Sequence, residues 1–478
     1  MVPASASEKG RVHAVVVPYP AQGHINPCMQ FAKWLASQGF TITFVNTDHN
    51  HARILASQSH HSSVWEAEGL DIRFASIPDG LPDHHDRMVD FAILSKAIDT
   101  HMPAHFEALV AGLCSSDASR PTCIVSDLFM NFTQDVANKF GLPRVAVWCQ
   151  SAASFAIHVH MPTISSQGYL PVTDDSKLDP ITSIPGHPPL LPKDLPSFFQ
   201  DADFSNYMYN FKLRPFQRLQ EAKSILINTF DDLERDVLKA LKDDKINIFA
   251  AGPFLPPALL SKEDSRDNRT GTGLWPEDQE CITWLENQKE SSVLFISFGS
   301  IASLSDIQFK ELVLGLEASQ KPILWAIRPN LKDSIESVLP KSFLESDHVY
   351  LTSWVPQALI LSHKNVGGFL THGGWNSTLE SLSFGVPTIV WPYFADQMLN
   401  RKWIVEEWKT GKGFQAAHSG LIARDEVERM IRLLMEGKEG HEMRQRARKL
   451  SQAARNAVQE DGSSYVNVKN TLRALLSS

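Results

Sequence analysis

The chain has 478 residues, 43% hydrophobic and 21% charged, the balance of a globular protein long enough for about two to four domains. A net charge of −9 excludes a protein built to neutralise nucleic-acid phosphates or an anionic membrane surface. Five cysteines without a CxxC pair suggest neither a disulfide framework nor a thiolate zinc site, and no apolar stretch approaches the roughly 18 residues of a membrane span, so a cytoplasmic, monomeric protein with reduced thiols is expected.

In chain order, Val12–Pro18 is a β-branched apolar run, as expected of a strand buried on both faces. A turn containing Gly23 follows. Asn26-Pro27 reads as an N-cap with Pro at the first helical position. Phe31, Trp34 and Leu35 then keep helical spacing up to Gly39, and Phe40–Asn46 is the next strand. Cys123–Asp127 is another short strand, with Asp127 at its carboxyl end. Ile225–Asn228 and Ile246–Ala250 are strands around a helix over Leu233–Leu241. The polar run Lys262–Gly273 reads as an exposed loop near a domain boundary.

The second half opens like the first. A strand, Ser292–Phe298, runs into Gly299-Ser300. Ser305 and Gln308 resemble a capping box, Phe309, Leu312, Val313 and Leu316 mark one helix face, and Pro322–Ile327 is a strand. Val366–Leu370 is a strand ending in a glycine turn and a helix. Val427, Met430, Ile431 and Leu434 mark a further helix, and the tail from Glu439 to Leu476 is helical. The repeated unit predicts an α/β protein of two facing, doubly wound domains with parallel sheets. The first is placed over 1–252 and the second over 253–455, with 456–478 as a helix returning to the first.

Ligands bind beyond the carboxyl ends of such strands. There, Thr371-His372-Gly373-Gly374-Trp375-Asn376-Ser377 offers close backbone approach and a helix start that favours an anion. His372 could donate to a phosphate, Glu380 could accept from vicinal hydroxyls, and Trp354 could stack a planar base. Taken singly, Asn and Ser cap helices routinely, and a lone Trp is more often core. In the first half, His24 follows the first strand and Asp127 ends another. If those ends are neighbours, Asp127 can orient His24 as a general base. Otherwise His24 is a surface residue and Asp127 the cap of the next helix.

The segment Trp354–Gln397, with WVPQ, HKNVGGFLTHGGWNSTLES and GVPTIVWPYFADQ, resembles the signature box of plant secondary-product UDP-sugar glycosyltransferases. Pro18–Pro27, Ser126-Asp127, Trp148-x-Gln150-Ser151 and Ser297-Phe-Gly-Ser300 are similar to further motifs of that family. The resemblance implies a GT-B fold, with the acceptor held mainly by the first half and UDP-glucose, a substrate rather than a cofactor, by the second. It implies uracil against Trp354, with Val355 and Gln357 nearby, and ribose on Glu380. The diphosphate would lie on Ser300, His372, Gly374, Asn376 and Ser377, and the sugar on Trp375, Asp396 and Gln397. His24 would be the base and Asp127 its partner. Gln397 and Trp375 resemble glucose-using members. The implied reaction is an inverting, metal-independent transfer of glucose to a hydroxyl of a small lipophilic acceptor, of phenolic, flavonoid or terpenoid type. Transfer to an aromatic carbon, or donor binding without turnover, are the alternatives. Cys149 stands where many members have Thr. Asp201-Ala-Asp203 matches a metal-binding DxD only as text, and the His pairs at 49/51, 60/61, 84/85 and 158/160 lack a third ligand.

Overall fold

A computed structural model describes residues 12–57, 69–87, 90–117, 119–172, 179–200, 207–261, 277–299, 305–327, 339–417 and 420–476. The strands are β1 (His13–Val17), β2 (Thr41–Thr47), β3 (Ile72–Ile77), β4 (Cys123–Asp127), β5 (Arg144–Trp148), β6 (Ser224–Ile227) and β7 (Ile248–Ala250). The later part of the chain adds β8 (Val293–Ser297), β9 (Ile323–Ala326), β10 (Val349–Thr352), β11 (Val366–Thr371), β12 (Thr388–Val390) and β13 (Gly411–Gly413). They form one sheet of order β3-β2-β1-β4-β5-β6-β7 and a second of order β10-β9-β8-β11-β12-β13. Every strand pair in both sheets is parallel.

Parallel pairing makes all strands of a sheet end at one edge. Strand order also reverses direction beside the first strand of each sheet, between β1 and β4 and between β8 and β11. The chain leaves neighbouring strands to opposite faces there and opens a crevice. Val17 pairs with Ser126, and Thr371 with Ser297, so the loops after these residues meet at the two crevices.

The helix after β1 begins earlier than the sequence pattern indicates. It spans Gln22–Ser37, so Pro27 lies inside it and His24 lies in its first turn rather than in the preceding loop. Pro27 has no N–H to offer the Gly23 carbonyl one turn back. That carbonyl instead accepts from Asn376 Nδ2, 2.8 Å away, across the gap between the two sheets. The expected capping box is half formed. Ser305 accepts from Gln308 N at 3.4 Å, but the Gln308 amide bonds both ways with the Ile422 backbone. The helix Arg424–Glu436 buries Val427, Met430, Ile431 and Leu434 as the pattern indicates. The stretch 262–273 and the Asp201/Asp203 pair lie outside the described residues.

The helical tail is two helices, Lys438–Val458 and Ser463–Leu476. The second crosses back to the first sheet. Ser464 Oγ donates to Gly252 O at 2.6 Å and Asn467 Nδ2 to Ala250 O at 2.9 Å. Val468, Leu472 and Leu475 complete the apolar layer over β1 and β2. A charge in that layer has no partner, so Val468→Asp is expected to destabilise the fold by about 3 kcal/mol. A melting temperature several degrees lower in thermal denaturation would register this, and an unchanged one would mean the helix is not integral.

Candidate active site

The two strand-end edges enclose a cleft of about 440 Å³ lined from both halves. On the first-half side, His24 Nδ1 lies 2.6 Å from Asp127 Oδ2. Asp127 is 1% exposed, and its other oxygen accepts from Phe129 N at 2.9 Å. The carboxylate therefore serves the turn after β4 and the imidazole, while the helix Phe132–Phe140 has Asn131 at its N-cap. A carboxylate can only accept, so the proton of a neutral His24 is assigned to Nδ1. Nε2 is then the acceptor on a ring that lines the cleft.

Cys149 Sγ closes this corner, 3.8 Å from Cys28 Sγ. Burial beside Cys28 and Asp127 pushes its thiol well above the usual range, so it is a neutral S–H. His24, Asp127 and Cys149 each bring a possible metal ligand within 4.8 Å of the others. The 2.6 Å contact between His24 and Asp127 is a hydrogen bond, shorter than the separation of two ligands on a common zinc ion.

The second-half wall is built around His372. Its ring lies between two glycines: a Cβ on Gly299 would stand 2.7 Å from His372 Cε1, and one on Gly374 2.5 Å from Nε2. Gly299 also has φ +68, which favours glycine. Burial pushes the His372 imidazole down to about 4, so it is neutral at physiological pH. Gly374 is the N-cap of the helix Trp375–Phe384. Its first backbone N–H groups lack intrahelical acceptors and aim their positive dipole end at the cleft.

Farther along, Gln357 Nε2 donates to Ser377 Oγ at 2.9 Å and to Glu380 Oε2 at 2.6 Å. Burial raises the Glu380 carboxyl to about 7. Trp354 follows β10 and, with Val355, lines the same end. Gln397 Oε1 accepts from Tyr393 N and Phe394 N at 2.7 and 3.1 Å, which shapes the loop and leaves its Nε2 for the cleft. Asp396 accepts from Asn400 Nδ2 at 3.1 Å. The first half pins this loop as well: Ala395 N donates to Ser197 Oγ at 2.7 Å, and Ser197 N to Ala395 O at 2.9 Å.

The structure thus brings His24, Trp354, Val355, Gln357, His372, Gly374, Trp375, Asn376, Ser377, Glu380, Asp396 and Gln397 to one cleft. Asp127 stands behind His24. Ser300 lies outside the described residues. Trp375 departs from the expectation in one respect: its indole N–H donates to Asn228 O at 2.8 Å, so no side-chain donor is left for a sugar. Met208 lines the cleft, whereas Met29, Met130 and Met161 are core. The sequence reading misses Ser197, whose hydrogen bonds cross to the other half, and Lys212. The one signal for Lys212 is an apolar neighbour on either side, Phe211 and Leu213.

The model of the family described as UDP-glucoronosyl and UDP-glucosyl transferase matches residues 25–451. The chain is 40% identical to UDP-glycosyltransferase 85A2 of Arabidopsis thaliana, over 97% of this chain and 98% of that one. It is also 40% identical to (R)-mandelonitrile beta-glucosyltransferase of Prunus dulcis, over 100% and 99%. Among solved structures, Phytolacca americana UGT2 complexed with UDP-2fluoro-glucose and pterostilbene superposes with a TM-score of 0.81 at 29% identity, covering 98% of this chain and 99% of that chain. The chain therefore belongs to the UDP-glucuronosyl and UDP-glucosyl transferase family, and its two facing sheets form the GT-B fold.

A diol donating to Glu380 needs the carboxylate, which is present above about pH 7 and lost below it. The diphosphate of UDP-glucose does not titrate in this range. Calorimetric affinity for UDP-glucose is thus expected to fall by up to about tenfold per pH unit below 7. Glu380→Gln should flatten the dependence, and a wild-type profile that is already flat would exclude the role.

Proposed function

We propose that the protein transfers glucose from UDP-glucose to a hydroxyl of a small lipophilic acceptor, with His24 as general base. The observation that carries this reading is the 2.6 Å His24–Asp127 hydrogen bond at a cleft whose far wall is a neutral histidine and an open helix N-terminus. The acceptor oxygen attacks the anomeric carbon while its proton passes to His24 Nε2. The anomeric C–O bond breaks from the opposite face, and its electron pair leaves on UDP. An α-linked donor thereby gives a β-glucoside. Asp127 stabilises the imidazolium as it forms.

The leaving diphosphate gains negative charge where backbone N–H groups of residues 375–377 can donate to it, beside the neutral His372 ring. That assigns leaving-group stabilisation to protein dipoles rather than to a metal ion. In this reading Trp354 stacks the uracil, Glu380 holds the ribose, and Gln397 Nε2 and Asp396 address the sugar hydroxyls. Relatives named for glucosyl transfer to mandelonitrile and 7-deoxyloganetin support a small, largely apolar acceptor.

Removing the base should cost about 10²–10⁴-fold in turnover. His24→Ala is expected to lose hydroxyl glucosylation by that factor while UDP still binds, as read by product formation beside calorimetric titration with UDP. Turnover near wild type would reject the assignment.

A further inference from the structure

The first-half side of the cleft holds a charged side chain that the proposed reaction leaves idle. Lys212, in the helix Tyr207–Leu213, is 9% exposed and lines the cleft. Its Nζ makes no hydrogen bond or ion pair with a described residue. Aromatic rings surround it instead: Nζ lies 3.8 Å from the centroid of Phe129, 5.4 Å from Tyr19, 5.5 Å from Phe198 and 5.9 Å from Phe211.

The same wall holds His24, whose ring centroid is 5.1 Å from that of Tyr19 and 6.2 Å from that of Phe129. Ammonium and imidazole therefore stand within one small-molecule length of each other. The carboxylates that act on Lys212 from a distance are Asp127 and Asp396. Both are engaged elsewhere, Asp127 with His24 and Phe129 N, Asp396 with Asn400. Burial lowers the Lys212 ammonium to about 8, so it remains mostly charged at neutral pH. Ring faces offset part of the cost of burying that charge, and an unpaired ammonium still favours an anion brought to it.

We propose that Lys212 is a specificity-determining residue that pairs with a carboxylate on the acceptor while a hydroxyl of the same molecule meets His24. The substrate class is an aromatic hydroxy acid, its ring lying among Tyr19, Phe198 and Met208. This rests on the glucosyl-transfer reading and narrows its acceptor. No bond changes at the carboxylate, and the product is an O-glucoside with the acid free.

The test compares 3-(4-hydroxyphenyl)propanoic acid with its methyl ester. Wild type should favour the acid by about tenfold or more in kcat/KM, as a charge-assisted contact would give. Lys212→Met should lower that ratio by at least about tenfold, and Lys212→Arg should keep a preference for the acid. Binding of the acid in the presence of UDP, measured by calorimetry, should weaken by the same factor in Lys212→Met. That measurement reports on Lys212 even if no acceptor turns over, an outcome that would instead reject the glucosyl-transfer reading. An equal acid-to-ester ratio in wild type and Lys212→Met overturns the proposal, as does a base-labile glucose ester as product.

Discussion

The hydrogen bond between His24 and Asp127 joins residues 103 positions apart, and it depends on sheet order. β1 and β4 are neighbours because the strand order reverses between them, and parallel pairing puts both carboxyl ends at the same edge. β4 delivers a buried carboxylate at its last residue, and the helix after β1 presents an imidazole in its first turn. A different strand order would leave two ordinary polar residues on separate loops. The pair needs no long lever arm, which suits the general base of the proposed reaction, held in one tautomer and one orientation.

The opposite wall follows the same rule with different chemistry. β8 and β11 flank the second reversal, and their loops supply glycines where the first sheet supplies the His24–Asp127 pair. Gly299 and Gly374 leave no side chain between the backbone and His372, so the neutral ring and the helix start stand side by side at the cleft. The two walls also hold each other. Asn376 reaches the Gly23 carbonyl that Pro27 leaves without a helical donor, and Ser197 clasps the backbone of Ala395. A helix defect in one half thus becomes an acceptor for the other. The Gln397 loop, aimed at the sugar in the proposed reaction, is fixed from both sides.

Much of this is legible in the sequence because buried parallel strands are short apolar runs with chemistry at their ends. Cys123–Asp127 reads as the strand it is, and the glycine turn after β11 announces its helix. The departures share one cause, a partner that is distant in sequence. Pro27 reads as a helix start because local rules penalise an interior proline, and Asn376 is invisible to them. Gln308 reads as a cap until Ile422 takes its amide, and nothing local shows that Asn228 takes the indole N–H of Trp375. Lys212 gives almost no signal, since only the fold shows an aromatic enclosure around a lone cation.

In the proposed reaction Asp127 fixes the proton of His24 on Nδ1 and leaves Nε2 open to the acceptor. Nitrogen-15 NMR of the labelled imidazole at pH 8 reads this directly. A protonated Nδ1 and an unprotonated Nε2 are expected in the wild type, with the Nδ1 proton shifted downfield and that shift lost in Asp127→Asn. A His24 ring carrying its proton on Nε2 would contradict it.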